Sequence, residues 1–300
     1  MNLFQAGIYT SNFNKAGRVY SRLDATEKWM RDSVQWHLES YHYIHSQRHV
    51  DRIRAENVKV FLDSGAFSAY TQGVQIDIGE YCDYIHSNQD IIMFPSVLDA
   101  IGDAEGTWRN QEEMERRGVR PLPCFHYGEP IALLRHYVER YEYITLGGMV
   151  PISTPQLRLW LDDIWTNVLC DATGRPKLKV HGFGLTSLPL MVRYPWYSVD
   201  SSTWVQWAAN GMILIPTRTG QLDVSNKSSR RKHAGQHLDS MAPVETQRIE
   251  DEIRSFHVDP ERLREYYYSR WAWNAWAFPW YVKDKAWEND RLEIDAQGLF

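Results

Sequence analysis

The sequence predicts an α/β fold in which parallel strands alternate with helices. Eight short apolar runs have strand character. Helix-like stretches separate most of these runs, and a repeated strand–helix–strand order favours parallel pairing. Several of the predicted strands end on an acid, a histidine or a glycine pair. Because a buried carboxylate is costly unless something pairs with it, the sequence predicts a pocket at these strand ends.

The individual elements follow from local patterns along the chain. The predicted strands are residues 3–10, 58–64, 90–99, 119–127, 141–149, 177–185, 196–201 and 211–217. The predicted helices include residues 24–55, 77–87, 103–117, 130–140, 154–169, 243–256 and 258–277. Helix N-caps are predicted at Asp24, at Asp77, and at Ser153 or Thr154 before Pro155. Only WVQWAAN can be helical between the last two predicted strands, so that element is expected to be degenerate.

Eight strand–helix repeats most simply close into a (β/α)8 TIM-type barrel, whose active sites lie at the C-terminal ends of the strands. An open doubly wound sheet usually has a glycine-rich phosphate turn after its first strand, and YTSNFNKAG does not match that turn. We therefore expect a single domain without a zinc subdomain. The barrel would cover residues 1–282 with a basic loop near 217–240, and residues 283–300 would form a polar tail.

The composition is that of an ordinary globular protein. The chain has 300 residues, of which 43% are hydrophobic and 24% are charged, and a net charge of −5 argues against a globally basic nucleic-acid coat. Three widely spaced cysteines form no zinc motif and suit a reducing compartment. The N-terminus does not resemble a signal peptide, and no apolar run approaches the roughly 18 residues of a membrane span. We expect a cytoplasmic protein with no membrane partner.

Three strand-end acids are the main catalytic candidates. Asp63 ends VFLD and precedes a glycine turn, although it could only cap that turn. Asp200 ends the strand YSVD, and its alternative role is the N-cap of a short helix at residues 202–209. Asp99 could accept two N–H bonds from the edge of a purine-like base. It could instead cap the next helix, for which Asp103 is also available.

Other candidates concern ligand binding. The Gly147-Gly148 pair could present backbone N–H groups to a ligand, although such a pair usually means a turn. Phe67 could stack on a flat ligand or belong to the core. A dense basic run follows the last predicted strand and suits phosphate contacts, with a solvated loop as the alternative. Its residues are Lys227, Arg230, Arg231, Lys232 and His233.

At these strand ends the chain resembles the guanine transglycosylase superfamily, whose members exchange guanine in nucleic acid for a 7-deazaguanine base. The family motif DSGGFQ is similar to DSGAFS, an Asp after the third strand matches Asp99, and the GG turn is similar to LGGM. The family's MGVG is similar to HGFG, and its nucleophile strand is similar to VDSSTW. The order of these motifs is kept along residues 60–205.

The departures from the family pattern restrict the resemblance to one branch of the family. The tRNA enzymes have a CxCxxC…H zinc site, which this chain lacks, and His126 or Tyr127 replaces the family's Gln after the fourth strand. A short, zinc-free chain resembles the DNA-modifying branch, the DpdA-like enzymes of bacteriophages and bacteria. The location expected from that branch is the host cytoplasm if the protein is phage-encoded.

The resemblance implies a pentosyltransferase that inserts 7-cyano-7-deazaguanine (preQ0) or a related base into duplex DNA at a flipped guanine. In it Asp200 is the nucleophile and Asp63 the general acid and base. The implied base-binding residues are Ser64, Phe67, Asp99, His126, Tyr127, Gly147, Gly148, Phe183 and Gly184. The implied contacts to the nucleic-acid backbone are Lys227, Arg230, Arg231 and Lys232. No metal and no cofactor besides the substrate base is expected.

Two alternative functions stay open from the sequence. One is a tRNA-guanine transglycosylase, against which the missing zinc motif counts. The other is a (β/α)8 metal-dependent hydrolase using His126, His181 and Asp200, although the first strand lacks the HxH pair expected of such enzymes. A non-enzymatic nucleic-acid-binding barrel is disfavoured because three strand-end acids would repel phosphate.

Overall fold

The computed structural model describes residues 1–150, 152–217, 220–229, 235–286 and 291–292. The chain divides into two compact units. Unit 1 comprises Met1–Ser11, Trp36–Ser201 and the residues from Val282 onward, and unit 2 comprises Asn12–Gln35 and Ser202–Tyr281. Among the described residues, no helix is both long enough and apolar enough to span a bilayer.

Unit 1 is built on an eight-stranded sheet in which every strand pair is parallel. The strands are β1 (Asn2–Ala6), β2 (His37–Ser40), β3 (Val60–Asp63), β4 (Ile92–Pro95), β5 (Cys124–His126), β6 (Tyr143–Gly147), β7 (Lys179–Gly182) and β8 (Ser198–Ser201). Their order in the sheet is β4-β3-β2-β1-β8-β7-β6-β5. The predicted α/β class with parallel pairing is therefore confirmed.

The sheet curls strongly, as two ring contacts across it show. The rings of Phe61 in β3 and His181 in β7 lie 4.5 Å apart, and those of Phe94 in β4 and Tyr143 in β6 lie 5.3 Å apart. In a flat sheet β4 and β6 would be separated by six strand spacings, or roughly 29 Å. At the end of β4, the Leu122 N–H donates to Pro95 O at 2.8 Å. This curled sheet is compatible with a TIM-like fold.

The helices of the described residues are listed in chain order. They are α1 (Ala25–Asp32), α2 (Tyr41–Ile44), α3 (Gln47–Glu56), α4 (Ala66–Thr71), α5 (Ile78–Ser87), α6 (Ala104–Arg116), α7 (Ile131–Arg140), α8 (Thr154–Ile164), α9 (Leu188–Arg193), α10 (Thr203–Ala209), α11 (Pro243–Ser255), α12 (Pro260–Glu265) and α13 (Tyr267–Ala286). A π-helical turn, Trp165–Leu169, extends α8. The predicted caps at Asp24 and Asp77 are confirmed, since each carboxylate accepts a backbone N–H three residues on.

The single long helix predicted over residues 24–55 is wrong. The strand β2 lies inside that range, between α1 and α2. His37, Leu38 and Glu39 are all buried, as expected for a parallel strand covered on both faces. Two of these three residues are polar, so the segment lacks the continuous apolar run by which such strands are recognised.

The eighth predicted strand, residues 211–217, does not belong to the parallel sheet. Its central residues form β9 (Met212–Leu214), which pairs antiparallel with β10 (Gln221–Asp223) in unit 2. The strand that carries Asp200 is therefore the eighth strand of the sheet. The short WVQWAAN segment forms α10 of unit 2 and is not a degenerate connection between two sheet strands.

Unit 2 has its own aromatic core. Phe13 stacks on Trp204 with ring centroids 5.7 Å apart, and Trp204 and Trp273 are both fully buried. Asn274 fixes the β9 backbone, because its Oδ1 accepts the Leu214 N–H at 3.0 Å. The helix α13 continues to Ala286, and most of the predicted polar tail lies outside the described residues.

Candidate active site

Asp63 is the last residue of β3, and its carboxylate lies in a protonation-sensitive environment. Burial, together with the negative charges of Asp99 and Asp200, raises the pKa of Asp63 to about 7. The charges of Asp99 and Asp200 therefore act on the Asp63 carboxyl. One oxygen of Asp63 also accepts the Gly65 N–H at 3.1 Å, so the turn-capping role is present as well.

The turn after Asp63 requires glycine at position 65. Gly65 has a φ of 75°, in the left-handed region that other residues rarely adopt. A Cβ at this position would lie 2.6 Å from the Cβ of His42. The glycine thus lets the chain pass close to α2 immediately after the catalytic candidate.

Asp200 lies in β8, is buried, and is held by two donors. Its Oδ1 accepts the Gly184 N–H at 2.8 Å and lies 3.2 Å from His181 Nε2. His181 is fully buried, and burial lowers its pKa, so the ring is neutral at pH 7. The His181 Nδ1 lies 2.7 Å from Ser198 Oγ, which in turn lies 2.6 Å from the hydroxyl of Tyr143. A buried hydrogen-bonded chain therefore orients the Asp200 carboxylate.

Asp99 follows β4, and it does not cap the next helix. That cap is Asp103, whose carboxylate accepts the Gly106 N–H at 2.8 Å. The Oδ1 of Asp99 is buried and has no hydrogen-bond donor within the described part of the chain. The Nε2 of His126 lies 3.5 Å from this oxygen. Asp99 thus remains available for a ligand.

His126 ends β5 in a compact polar group. Its Nε2 lies 3.4 Å from Cys124 Sγ, and its Nδ1 lies 3.1 Å from Glu129 Oε1. Burial by itself would lower the pKa of His126, but Cys124, Asp99 and Glu129 together raise it well above the usual value. The ligating atoms of Asp99, Cys124 and His126 all lie within 4.8 Å of one another.

The glycine pair at the end of β6 leaves space beside this group. A Cβ at Gly147 would lie 2.9 Å from Cys124 Sγ and 2.9 Å from His126 Cδ2. Gly148 has a φ of 68°, and a Cβ there would lie 3.1 Å from the backbone nitrogen of Tyr127. Both glycines are therefore needed for the close approach of β6 to the end of β5.

The remaining predicted base-binding residues have mixed environments. Phe67 is 60% exposed on α4, which is compatible with stacking on a ligand. Ser64 is fully buried, and its N–H donates to Ser96 Oγ at 3.0 Å. The Tyr127 ring contacts Trp160 edge-on at 5.3 Å, and Phe183 packs on Phe61 at 5.5 Å. Ser64 and Phe183 thus contribute to packing around the strand ends.

Most of the predicted backbone-binding residues lie outside the described part of the chain. These are Arg230, Arg231 and Lys232, together with the neighbouring His233. Lys227 is described, and it lines a cavity of about 740 Å³ in unit 2 with Asp223, Ser228 and Arg270. Asp63, Asp99 and Asp200 belong to unit 1, so none of these catalytic candidates lines this cavity.

Two chemically informative residues were missed from the sequence. Glu39 in β2 is buried, burial raises its pKa to about 7, and its Oε1 accepts the Tyr9 N–H at 2.6 Å. It was missed because its segment was read as helix. Cys124 was only counted among three widely spaced cysteines without a zinc motif, although the Cys-x-His alternation of β5 places both side chains on one face.

No protein-family model matches the chain, and no curated protein matches it in sequence. The likeness to the guanine transglycosylases therefore depends on the strand-end motifs alone.

Proposed function

We propose that this protein is a base-exchanging glycosyltransferase that replaces guanine in DNA by a 7-deazaguanine such as preQ0. The observation that supports it most is the electrostatic coupling of Asp63 with Asp99 and Asp200 at the strand ends. Two carboxylates in different environments are the usual catalytic residues for cleaving and re-forming a glycosidic bond. The order of the motifs that resemble those of the guanine transglycosylases supports the choice of a guanine glycosidic bond.

Asp200 would act as the nucleophile. Its carboxylate, oriented by His181 and the Gly184 N–H, attacks C1′ of the target nucleoside while the bond from C1′ to the base nitrogen breaks. The product of this step is a covalent glycosyl–Asp200 ester and a free guanine. The incoming base then attacks C1′, displaces the carboxylate and restores the glycosidic bond.

Asp63 would carry the proton in both halves of the exchange. A carboxyl group with a pKa of about 7 is well matched to this task, because it can donate to the leaving guanine and accept from the incoming base at neutral pH. Asp99 would bind the N–H edge of the base, the Gly147-Gly148 backbone would hold its other edge, and Phe67 would stack on its face. Ser64, His126, Tyr127, Phe183 and Gly184 would complete the base pocket.

The polymer in this proposal is duplex DNA. The target guanosine must leave the base stack to reach the strand-end carboxylates, at a cost of a few kcal/mol. The basic run that begins at Lys227 is assigned to phosphate contacts, so binding should weaken steeply with salt. The proposal also includes closure of the sheet into a (β/α)8 barrel. The contact of Phe94 with Tyr143 and the Leu122 to Pro95 hydrogen bond support closure.

Incorporation of labelled guanine or preQ0 into duplex DNA and tRNA, measured side by side, tests this function. Wild-type protein should label DNA, and Asp200→Ala should abolish the label while circular dichroism stays unchanged. Label confined to tRNA would assign the protein to the tRNA branch. Full activity of the folded Asp200→Ala protein would refute the mechanism.

A metal-dependent hydrolase is the second candidate, favoured by the group of ligating atoms around His126. That group differs from the ligand set His126, His181 and Asp200 named above. His181 and Asp200 instead pair with each other. A hydrolase would lose its activity in a chelator. Carboxylate-based exchange would instead depend on Asp63 and Asp200.

A further inference from the structure

We propose that Asp99, Cys124 and His126 bind one divalent transition-metal ion, and that their ligand types favour Zn²⁺. An aspartate oxygen, a thiolate and an imidazole nitrogen are all common zinc ligands, and three protein ligands leave a fourth position open. This inference goes beyond base exchange and does not depend on it, because an ion bound here can be measured in inactive protein.

The distances between the ligating atoms match two edges of a zinc tetrahedron. With zinc at about 2.3 Å from sulfur and about 2.0–2.2 Å from nitrogen and oxygen, the edges are about 3.6 Å (S–N) and about 3.4 Å (N–O). Cys124 Sγ lies 3.4 Å from His126 Nε2, which lies 3.5 Å from Asp99 Oδ1. The third pair, sulfur and carboxylate oxygen, lies within 4.8 Å.

Hydrogen bonding alone leaves this group incomplete. The Oδ1 of Asp99 is buried without a donor among the described residues. Its contact with His126 Nε2, at 3.5 Å, is too long for a good hydrogen bond, so a coordinated cation would satisfy this buried oxygen better. Only Oδ1 is needed for the ion, so the second carboxylate oxygen remains available for a ligand.

The surroundings of the group are those of a supported metal site. Glu129 Oε1 lies 3.1 Å from His126 Nδ1, which orients the ring so that Nε2 faces Cys124 and Asp99. Carboxylate partners of this kind fix metal-binding histidines in many zinc proteins. Gly147 provides the space, because any side chain there would collide with both Cys124 and His126.

Metal content of the purified full-length chain tests the proposal. After expression with zinc and dialysis into metal-free buffer, the wild-type protein should hold about one zinc ion, as a three-ligand site requires. Titration with Co²⁺ should give a thiolate-to-cobalt charge-transfer band. Cys124→Ser should lose this band, whereas Cys170→Ser, which alters another buried free cysteine, should keep it.

Further variants separate a metal site from a structural hydrogen-bond cluster. Glu129→Gln should weaken metal binding by about 10–100-fold, as outer-shell partners of metal ligands do. Asp200→Ala should retain the full metal content, which distinguishes failure of this proposal from failure of base exchange. A folded wild-type protein without bound zinc or cobalt would overturn the assignment, and so would an unchanged charge-transfer band in Cys124→Ser.

Discussion

His181 Nε2 lies 3.2 Å from Asp200 Oδ1, at the ends of adjacent strands β7 and β8. The pair is buried, and Ser198 and Tyr143 extend it into a four-residue hydrogen-bonded chain. Because burial lowers the pKa of His181, the ring is neutral and serves to orient the carboxylate. In this arrangement His181 fixes the orientation of the proposed nucleophile, Asp200, and takes no part in bond making itself.

Replacement of His181 by alanine should reduce base exchange by about 100-fold, because a misplaced nucleophile loses about that much. The protein should still bind DNA. Ser198→Ala, which removes only the group behind the histidine, should have a smaller effect on kcat. Single-turnover exchange rates for both variants, compared with wild type, check this order. An unchanged rate in His181→Ala would exclude a positioning role for the ring.

The pH dependence of exchange should follow Asp63. Release of guanine needs its acid form and attack by the new base needs its carboxylate, so the rate should peak near the pKa of about 7 and fall on both sides. Asp63→Asn should lower the rate by about 100–10,000-fold, the usual contribution of general acid–base catalysis, and should remove the peak. Steady-state rates between about pH 5 and pH 9 measure this profile. A wild-type rate independent of pH across this range would contradict the assignment.

Much of the fold could be predicted from local sequence. The existence of β2 and the separation of β9 from the parallel sheet could not. Strand β3 was predictable because VFLD is apolar up to its terminal acid, and Asp63 was selected for that reason. The strand β2 was hidden because its buried residues include the polar pair His37 and Glu39. Whether an apolar run such as MIL joins the sheet depends on long-range packing, which local sequence does not encode.

The candidate site, too, could be predicted only in part from the sequence. A strand-end acid is visible in the sequence because burial of a charge there needs an explanation. Cys124 is not, since a lone cysteine in a strand usually behaves as a small hydrophobic residue. Its significance depends on Asp99, which is brought beside it from the end of another strand.

Glu39 should make the stability of the protein fall as the pH rises. Burial raises its pKa from 4.5 to about 7, so the folded state binds the proton more tightly than the unfolded chain. The stabilising contribution is fully present below about pH 4.5 and is lost as the pH rises through about 7, with a total of about 3 kcal/mol. Glu39→Gln should reduce this loss. Urea unfolding at both ends of this window measures the difference.

The matched control for Glu39 is Glu105→Gln, because the Glu105 side chain is 92% exposed on α6. It should leave the pH dependence of the unfolding free energy unchanged. The pKa of Asp63 is also raised to about 7, so Asp63 likewise lowers the unfolding free energy as the pH rises through this window. Glu39→Gln should therefore keep part of the pH dependence of the wild-type protein. Equal slopes in wild type and Glu39→Gln would show that Glu39 is ionised in the folded protein.

Two glycines next to α4 separate backbone strain from steric collision. Gly65 and Gly73 both have positive φ, at 75° and 68°, so alanine is strained at either position by about 1–2 kcal/mol. A Cβ at Gly73 meets no atom within 4 Å, whereas one at Gly65 lies 2.6 Å from the Cβ of His42. Gly65→Ala should therefore lower the unfolding free energy by about 1–3 kcal/mol more than Gly73→Ala, as overpacking does. Urea midpoints of the two variants measure this, and equal destabilisation would show that the turn after Asp63 relaxes freely.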